Sequence, residues 1–303
     1  MKHLFIINPA AGKSNKSVEF TKMIAAYCKP KGLDYEIKIS AKKGDCTAIA
    51  RKAARSGKEY RIYACGGDGT LNEVVNGVAG FPNVAVTNLP GGSGNDFNRG
   101  FSDPAAFSDL SRLIDGPEME VDLISVNGES YSINICSMGI DARIASDVTL
   151  YKRLPGLTGH GAYNASTVVN LIKGIHRACE VDIDGKTLTG SQTLICICNG
   201  TFYGGGYNPV PDARPDDGLL DILIIKPVSI ITAAKVIGKY KRGEYKQLPD
   251  CITHYRVPEL TVRTPEQSVI NIDGECIRAK EAKFTVEPKK LRFFYPTGTA
   301  YGK

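Results

Sequence analysis

Residues 62–76 read IYACGGDGTLNEVVN: an apolar run, a break of three glycines and one aspartate, then apolar residues resuming at helical spacing. A strand that ends in a glycine loop and leads into a helix is the junction of a parallel α/β sheet. The sequence on either side follows the same grammar. HLFIIN (3–8) is a strand candidate followed by a helix-length segment at 16–29, and YEIKIS (35–40) alternates like a strand. DCTAIARKAARSG (45–57) reads as a helix with an Asp cap and a Gly stop. RIYAC (61–65), TLNEVVNGV (70–78) and NVAVTNL (83–89) continue as strand, helix and strand. Right-handed crossovers then give a parallel sheet with helices on both faces.

After Val121 the pattern changes. VDLISVNGESYSINIC is two alternating runs joined at Asn127-Gly128, a hairpin signal that returns at Asp184-Gly185 and Asp273-Gly274. TLICICN, LLDILIIK, ELTVRT and KFTVEP add further short strands, and helix-length segments near 161–173 and 229–241 interrupt them. The expectation is an α/β domain over 1–120 followed by an antiparallel β-sandwich over 121–290. The last strand candidate, LRFFYP (291–296), could belong to either, so 291–303 could complete the first domain.

The 303 residues are 42% hydrophobic and 23% charged, with a net charge of +6. That balance favours anionic partners without marking a nucleic-acid binder, and the basic residues form no long run. Nine cysteines are scattered without the paired spacing of a zinc site, as small buried hydrophobes in a reducing compartment would be. The opening MKHLFIINPAAGKSN is too short in its apolar part for a signal peptide, and no stretch reaches the length of a membrane span. A cytoplasmic protein is expected.

In a parallel sheet, ligands bind at the carboxyl ends of the strands, where the 66–70 loop falls. Glycines let the backbone approach phosphate oxygens, and the helix N-terminus that follows favours an anion. An aspartate facing phosphates is repulsive unless a cation lies between them, so Asp68 reads either as a Mg²⁺-holding group or as a turn residue or helix cap. NLPGGSGNDFNR (88–99) is a second glycine loop after a strand, with Ser93, Asn95 and Asp96, and NPAAGK (8–13) makes a third. Three such loops at one sheet edge point to a phosphate-rich ligand. Neither the dinucleotide fingerprint nor the phosphate-loop pattern fits: the third glycine of the first is missing, and Ile7 stands where the second needs glycine.

With NPAAGK, GGDGTLNEV and LPGGSGNDF in that order, then PVPDARPDDGLLDILII (209–225) and VINIDGE (269–275), the sequence resembles the diacylglycerol kinase catalytic-domain family. The glycine-Asp loop is also similar to those of sphingosine, ceramide and, more distantly, NAD kinases. The resemblance implies a Rossmann-like domain, a β-sandwich and an active site in the cleft between them. It implies that Gly66, Gly67, Asp68, Gly69 and Thr70, with Asn72 and Glu73, bind nucleotide phosphates, and that Asn8 and Lys13 lie nearby. Ser40 and Ser93 stand where the family has threonines and keep the hydroxyl. Asp217, with the backbone carbonyls of Arg214 and Leu219, is implied to hold a structural Mg²⁺. Asp273 and Glu275 are implied as the catalytic carboxylates, with the base left open between them; residues two apart on a strand share one face.

The expected reaction moves the γ-phosphoryl group of ATP to the hydroxyl of diacylglycerol. Mg²⁺ would be bridged to the phosphates by Asp68 and Asp96 through water, and Asn95 would help to fix the loop or the nucleotide. NGTFYGGGYNPVP (199–211) would form part of the acceptor's rim. The lipid would be met by transient peripheral contact at the inner membrane face, and a homodimer is consistent with the family. The alternatives are another lipid alcohol such as a sphingoid base, NAD, or a silent nucleotide- or lipid-binding protein.

Overall fold

The computed structural model describes residues 1–12, 14–151 and 159–302; Lys13, expected beside the phosphates, lies outside them. The chain begins β1 (Lys2–Ile7), α1 (Ser17–Cys28), β2 (Tyr35–Ile39), α2 (Asp45–Arg55), β3 (Tyr60–Gly66), α3 (Asp68–Val78) and β4 (Val84–Pro90). β1 lies parallel between β2 and β3, and β3 runs parallel to β4, so Leu4, Ile62 and Val86 stand side by side. β1, β3 and β4 are buried almost end to end, as continuous apolar strands are when helices cover both faces. β2 closes the edge and is half-exposed, with Glu36 and Lys38 on it.

Asp45 is not the cap of α2. Gly44 occupies that position at φ 87°, and the Asp45 carboxylate accepts the N–H groups of Ala41 (2.9 Å) and Lys42 (3.1 Å) in the turn before it. The open N–H groups at the start of α2 are met from α3, where Glu73 accepts from Gly44 (3.0 Å) and Cys46 (3.2 Å). The glycine stop is present as Gly57, at φ 72°.

A short α4 (Leu110–Leu113) leads into β5 (Glu118–Val126), β6 (Ser130–Ser132), β7 (Ile135–Gly139), α5 (Ile140–Tyr151) and α6 (Gly159–Ile172). Then follow β8 (Arg177–Ile183), β9 (Lys186–Gln192), β10 (Leu194–Cys198), β11 (Leu220–Ile225), α7 (Ile230–Lys241), β12 (Ile252–Val257), β13 (Glu259–Ile272) and β14 (Glu275–Phe294). Asp184-Gly185 and Asp273-Gly274 are two-residue turns with both φ angles positive, joining β8 to β9 and β13 to β14. Asn127-Gly128 also turns a hairpin, with Glu129 as a third loop residue. Two interrupting helices were expected in this half; α5 is a third.

β14 joins the two halves. Its first part pairs antiparallel with β13, while Arg292 and Phe293 pair parallel with Ala85 and Val86 of β4. LRFFYP thus enters the α/β sheet. Among the described residues one sheet runs β12-β11-β10-β7-β13-β14-β4-β3-β1-β2. One apolar cluster gathers Phe5, Tyr63, Phe97, Phe101, Phe293 and Phe294 around the parallel strands, and another packs Cys136, Ile197, Ile222, Ile270 and Phe284 in the antiparallel half. All nine cysteines are free thiols, seven of them buried.

Candidate active site

The parallel strands deliver their loops to one place. Asn8–Gly12 follows β1, Ser40 follows β2, Gly66–Thr70 closes β3, and Gly91–Asp96 follows β4. Together with residues of the antiparallel half they line a cleft of about 780 Å³.

The glycines first serve one another. The Gly91 N–H donates to the Gly66 carbonyl at 2.8 Å. A Cβ on Gly92 would stand 2.4 Å from the Gly67 Cα, and one on Gly12 (φ +80°) would stand 2.5 Å from the Gly91 carbonyl oxygen. Three loops therefore meet backbone to backbone, a contact no side chain would permit. Thr70 and Leu71 donate to the Gly67 carbonyl at 3.0 and 3.1 Å, whereas the Gly69 N–H has no protein acceptor among the described residues. A Cβ on Gly69 would have only Glu275 Oε1 near it, at 3.6 Å, so this start of α3 faces the cleft and suits an anion.

Asp68 does not cap α3 with its side chain. Its carboxylate reaches the third loop and accepts the N–H groups of Asn95 (2.8 Å) and Asp96 (2.5 Å). Asn95, at φ 51°, exchanges hydrogen bonds with Gly92 and holds the loop in shape. Asp96 is buried; its Oδ2 accepts the Gly205 N–H at 2.8 Å, and its Oδ1 lies 3.2 Å from Arg99 Nε without a hydrogen bond. Burial pushes the Asp68 pKa up, against the two N–H donors that stabilise its charge. Burial and the negative charge of Asp68 push Asp96 to about 6. Two desolvated carboxylates, one with an oxygen free of hydrogen bonds, form a donor set suited to a hard divalent cation. Among the described residues no three acidic, His or Cys side chains converge, so ligand oxygens and water would complete such a shell.

Across the cleft, the β13–β14 turn carries Asp273 and Glu275 in different surroundings. The Asp273 carboxylate accepts five hydrogen bonds: Ser132 Oγ (2.6 Å), Asn72 Nδ2 (3.1 Å) and the N–H groups of Ile133 (2.9 Å), Asn134 (3.2 Å) and Ile135 (3.0 Å). Burial raises its pKa, and the Ser132 and Asn72 bonds oppose the rise. Glu275 instead meets one group, the Lys43 ammonium, which comes from the β2–α2 loop of the other half. That contact pushes the Lys43 pKa up.

The remaining expected residues divide. Asn8, Ser40, Thr70, Glu73 and Ser93 line the cleft, and Asn8 Nδ2 donates to Thr70 Oγ1 at 3.0 Å, tying the first loop to the second. Gly66 and Asn95 support the loops from behind. Asn72 points away from the phosphate loops, to the Tyr131 carbonyl (3.0 Å) and Asp273, and so braces the two halves. Arg214, Asp217 and Leu219 lie outside the cleft lining. There Asp217 Oδ1 accepts the Leu219 N–H at 3.0 Å and its other oxygen pairs with the Arg256 guanidinium. An arginine thus supplies the counter-charge to Asp217 where the resemblance implies a metal.

Lys43 and Ser132 were not anticipated as site residues, whereas Tyr203 and Gly205 fall in the 199–211 segment expected at the acceptor's rim, and both line the cleft. Lys43 and Ser132 meet their partners across 232 and 141 positions of chain, so no local signal marks them.

Residues 2–126 match the model of the diacylglycerol kinase catalytic domain, and residues 134–295 match that of the YegS C-terminal NAD kinase beta sandwich-like domain. A Staphylococcus haemolyticus protein provisionally named a lipid kinase is 29% identical over 280 residues, 90% of this chain and 88% of its own. A Pseudomonas aeruginosa protein provisionally named a YegS-like lipid kinase is 29% identical over 298 residues, 95% and 93% of the two chains. A Bacillus anthracis diacylglycerol kinase structure superposes with a TM-score of 0.69 at 22% identity, covering 98% of this chain and 97% of that one. An NAD kinase from Archaeoglobus fulgidus, solved with ATP, gives 0.54 at 12% identity over 98% and 94%. The likeness to these two structures is one of fold.

Proposed function

The chain belongs to the diacylglycerol kinase catalytic-domain family, and from that membership we propose that it transfers the γ-phosphoryl group of ATP to the hydroxyl of diacylglycerol, giving phosphatidic acid. The names of its relatives support a lipid as acceptor. The observation that carries the reading is the opposition of two unlike halves across one cleft: interlocked glycine loops with a buried Asp68–Asp96 pair on one side, and Glu275 facing Gly69 on the other.

The triphosphate lies along the loops, met by the Gly69 N–H and the hydroxyls of Ser40, Thr70 and Ser93. Asp96, backed by Asp68, would hold Mg²⁺, which offsets charge on the phosphates when bound. Glu275 is the base of choice. The Asp273 carboxylate is already filled by five donors, which leaves its oxygens no free approach for an acceptor hydroxyl. Glu275 has only Lys43 to release, and Lys43 can then turn its charge to the transferring phosphoryl group. The acceptor oxygen bonds to the γ-phosphorus as the bond to the β–γ bridging oxygen breaks; the hydroxyl proton passes to Glu275, and ADP leaves.

The test is transfer of ³²P from [γ-³²P]ATP with Mg²⁺ to diacylglycerol in mixed micelles, beside sphingosine and NAD as acceptors. Labelled phosphatidic acid is expected, with Glu275→Gln lowering kcat by about 10²- to 10⁴-fold at unchanged ATP affinity. Label on NAD or sphingosine instead, or on no acceptor, would overturn the reading.

A further inference from the structure

α7 is an unusual surface helix, for Tyr240 is its single buried residue. Ile231 is 70% exposed, Ile230 48% and Ile237 46%. At 100° per residue, Ile230, Ile231, Ala234 and Ile237 fall within one arc of about 120°, and that arc faces outward. The surrounding segment, KPVSIITAAKVIGKYK (226–241), holds four lysines and no acidic residue. Among the described residues Lys226, Lys235 and Lys239 form no ion pair with a carboxylate; Lys239 acts on Glu244 only at longer range, and Glu244 is itself paired with Arg242. Among the described residues no helix is long and apolar enough to cross a membrane.

The helix is joined to the cleft. Tyr240 Oη is 2.9 Å from Tyr203 Oη, and the Tyr207 ring packs against both tyrosines, with Lys241 Nζ over it at 5.2 Å. The Asn208 N–H donates to the Lys241 carbonyl at 3.0 Å. Tyr203, Gly204 and Gly205 are cleft lining, and Gly205 is the residue that bonds Asp96.

We propose that α7 is the element by which this protein docks on a bilayer bearing anionic lipid, an inference that rests on the lipid-kinase reading for its purpose. A short apolar ridge, flanked by lysines whose stems can lie along the acyl boundary while their ammonium groups reach phosphates, has the chemistry of a helix lying in the interface plane. The charge selects an anionic surface, and continuity with the rim at 203–207 brings the mouth of the cleft to the layer in which a diacylglycerol hydroxyl lies.

The chain has no tryptophan, so a single introduced one reports its own surroundings. Ile231→Trp, added to vesicles of 70% phosphatidylcholine and 30% phosphatidylglycerol, should shift its emission to the blue and be quenched by lipids brominated on the acyl chain. Lys58→Trp, exposed just before β3 at the sheet edge opposite the cleft, should do neither. In sedimentation, Ile231→Ser with Ile237→Ser should bind these vesicles at least tenfold more weakly than wild type. Kinase activity on a water-soluble short-chain diacylglycerol should stay unchanged. Equal binding by the double variant, or an Ile231→Trp emission blind to vesicles, would overturn the proposal. So would a switch from dimer to monomer in the variant at unchanged vesicle binding, which would assign the face to a second copy of the chain. Vesicle binding that depends on α7 in a protein that phosphorylates no lipid would leave the docking surface standing and remove the kinase reading instead.

Discussion

Asp96 carries its charge in a buried site beside Asp68, and this sets function against stability. Its pKa of about 6 exceeds the ordinary 3.8, so the folded state holds the proton more tightly than the unfolded chain. Ionisation therefore destabilises the fold: the penalty is absent below about pH 4, grows up to pH 6 and is complete above it. Asp96→Asn should stabilise the metal-free protein at pH 8 by up to about 3 kcal/mol. The gain should vanish at pH 4, as calorimetry in EDTA would record, while phosphoryl transfer is lost at every pH. In wild type, kcat/KM should fall as the pH drops below about 6. The β13–β14 carboxylates should separate in the opposite sense. Asp273→Asn turns an amide toward five donors and should cost about 3 kcal/mol in urea unfolding. Glu275→Gln, near the surface with one partner, should shift stability by less than about 0.5 kcal/mol. Similar losses in the two variants would mean that Glu275 is as structural as its neighbour.

At the scale of elements, the glycine loops act as one interlocked body. Gly92→Ala puts a methyl group 2.4 Å from the Gly67 Cα, where the obstacle is backbone and cannot rotate away. The loops must part, at about 1–3 kcal/mol, and titration calorimetry should find a non-hydrolysable ATP analogue bound at least tenfold more weakly. Unchanged affinity would mean that the loops do not need this contact to hold a nucleotide. Such elements were legible because their signals are local: buried parallel strands are continuous apolar runs, and Asp184-Gly185 or Asp273-Gly274 needs only its own φ angles to turn. α5 was missed because its residues, IDARIASDVTLY, follow β7 without a loop: Gly139, the one break before them, is itself the last residue of the strand. The Asp45 cap failed for a related reason. A neighbouring helix, through Glu73, satisfies α2, and a side chain 27 or more positions away leaves no mark beside the helix it serves. The candidate site divides in the same way. Its glycines and aspartates announce themselves in motifs, while Ser132 and Lys43 gain meaning only when distant strands bring Asp273 and Glu275 to them.

At the scale of the whole molecule, β14 makes the two halves one cooperative unit. It carries Glu275 at its start, pairs through its middle with β13 and β5, and ends inside the α/β sheet beside β4. The bulge between Glu287 and Leu291 is fixed where Lys289, at φ 51°, donates its N–H to buried Asp122, so the strand bends at a set place between its two partnerships. The distance between the loops that hold phosphates and the carboxylate that faces them thus depends on one continuous strand. Phe293 tests this. It is fully buried, pairs with Val86 on one side and Met119 on the other, and its ring lies 4.9 Å from Phe97 and 6.0 Å from Phe101. Phe293→Ala should cost about 3–5 kcal/mol. Because β14 transmits the loss, calorimetry should show one endotherm at a lower midpoint, and hydrogen exchange should show the amides of β10 and β11 losing protection along with those of β1 and β3. If the endotherm divides and only the α/β strands weaken, the halves fold independently, and the geometry of the cleft must be set by the contacts that cross it: Asn72 to Asp273, Lys43 to Glu275 and Asp96 to Gly205.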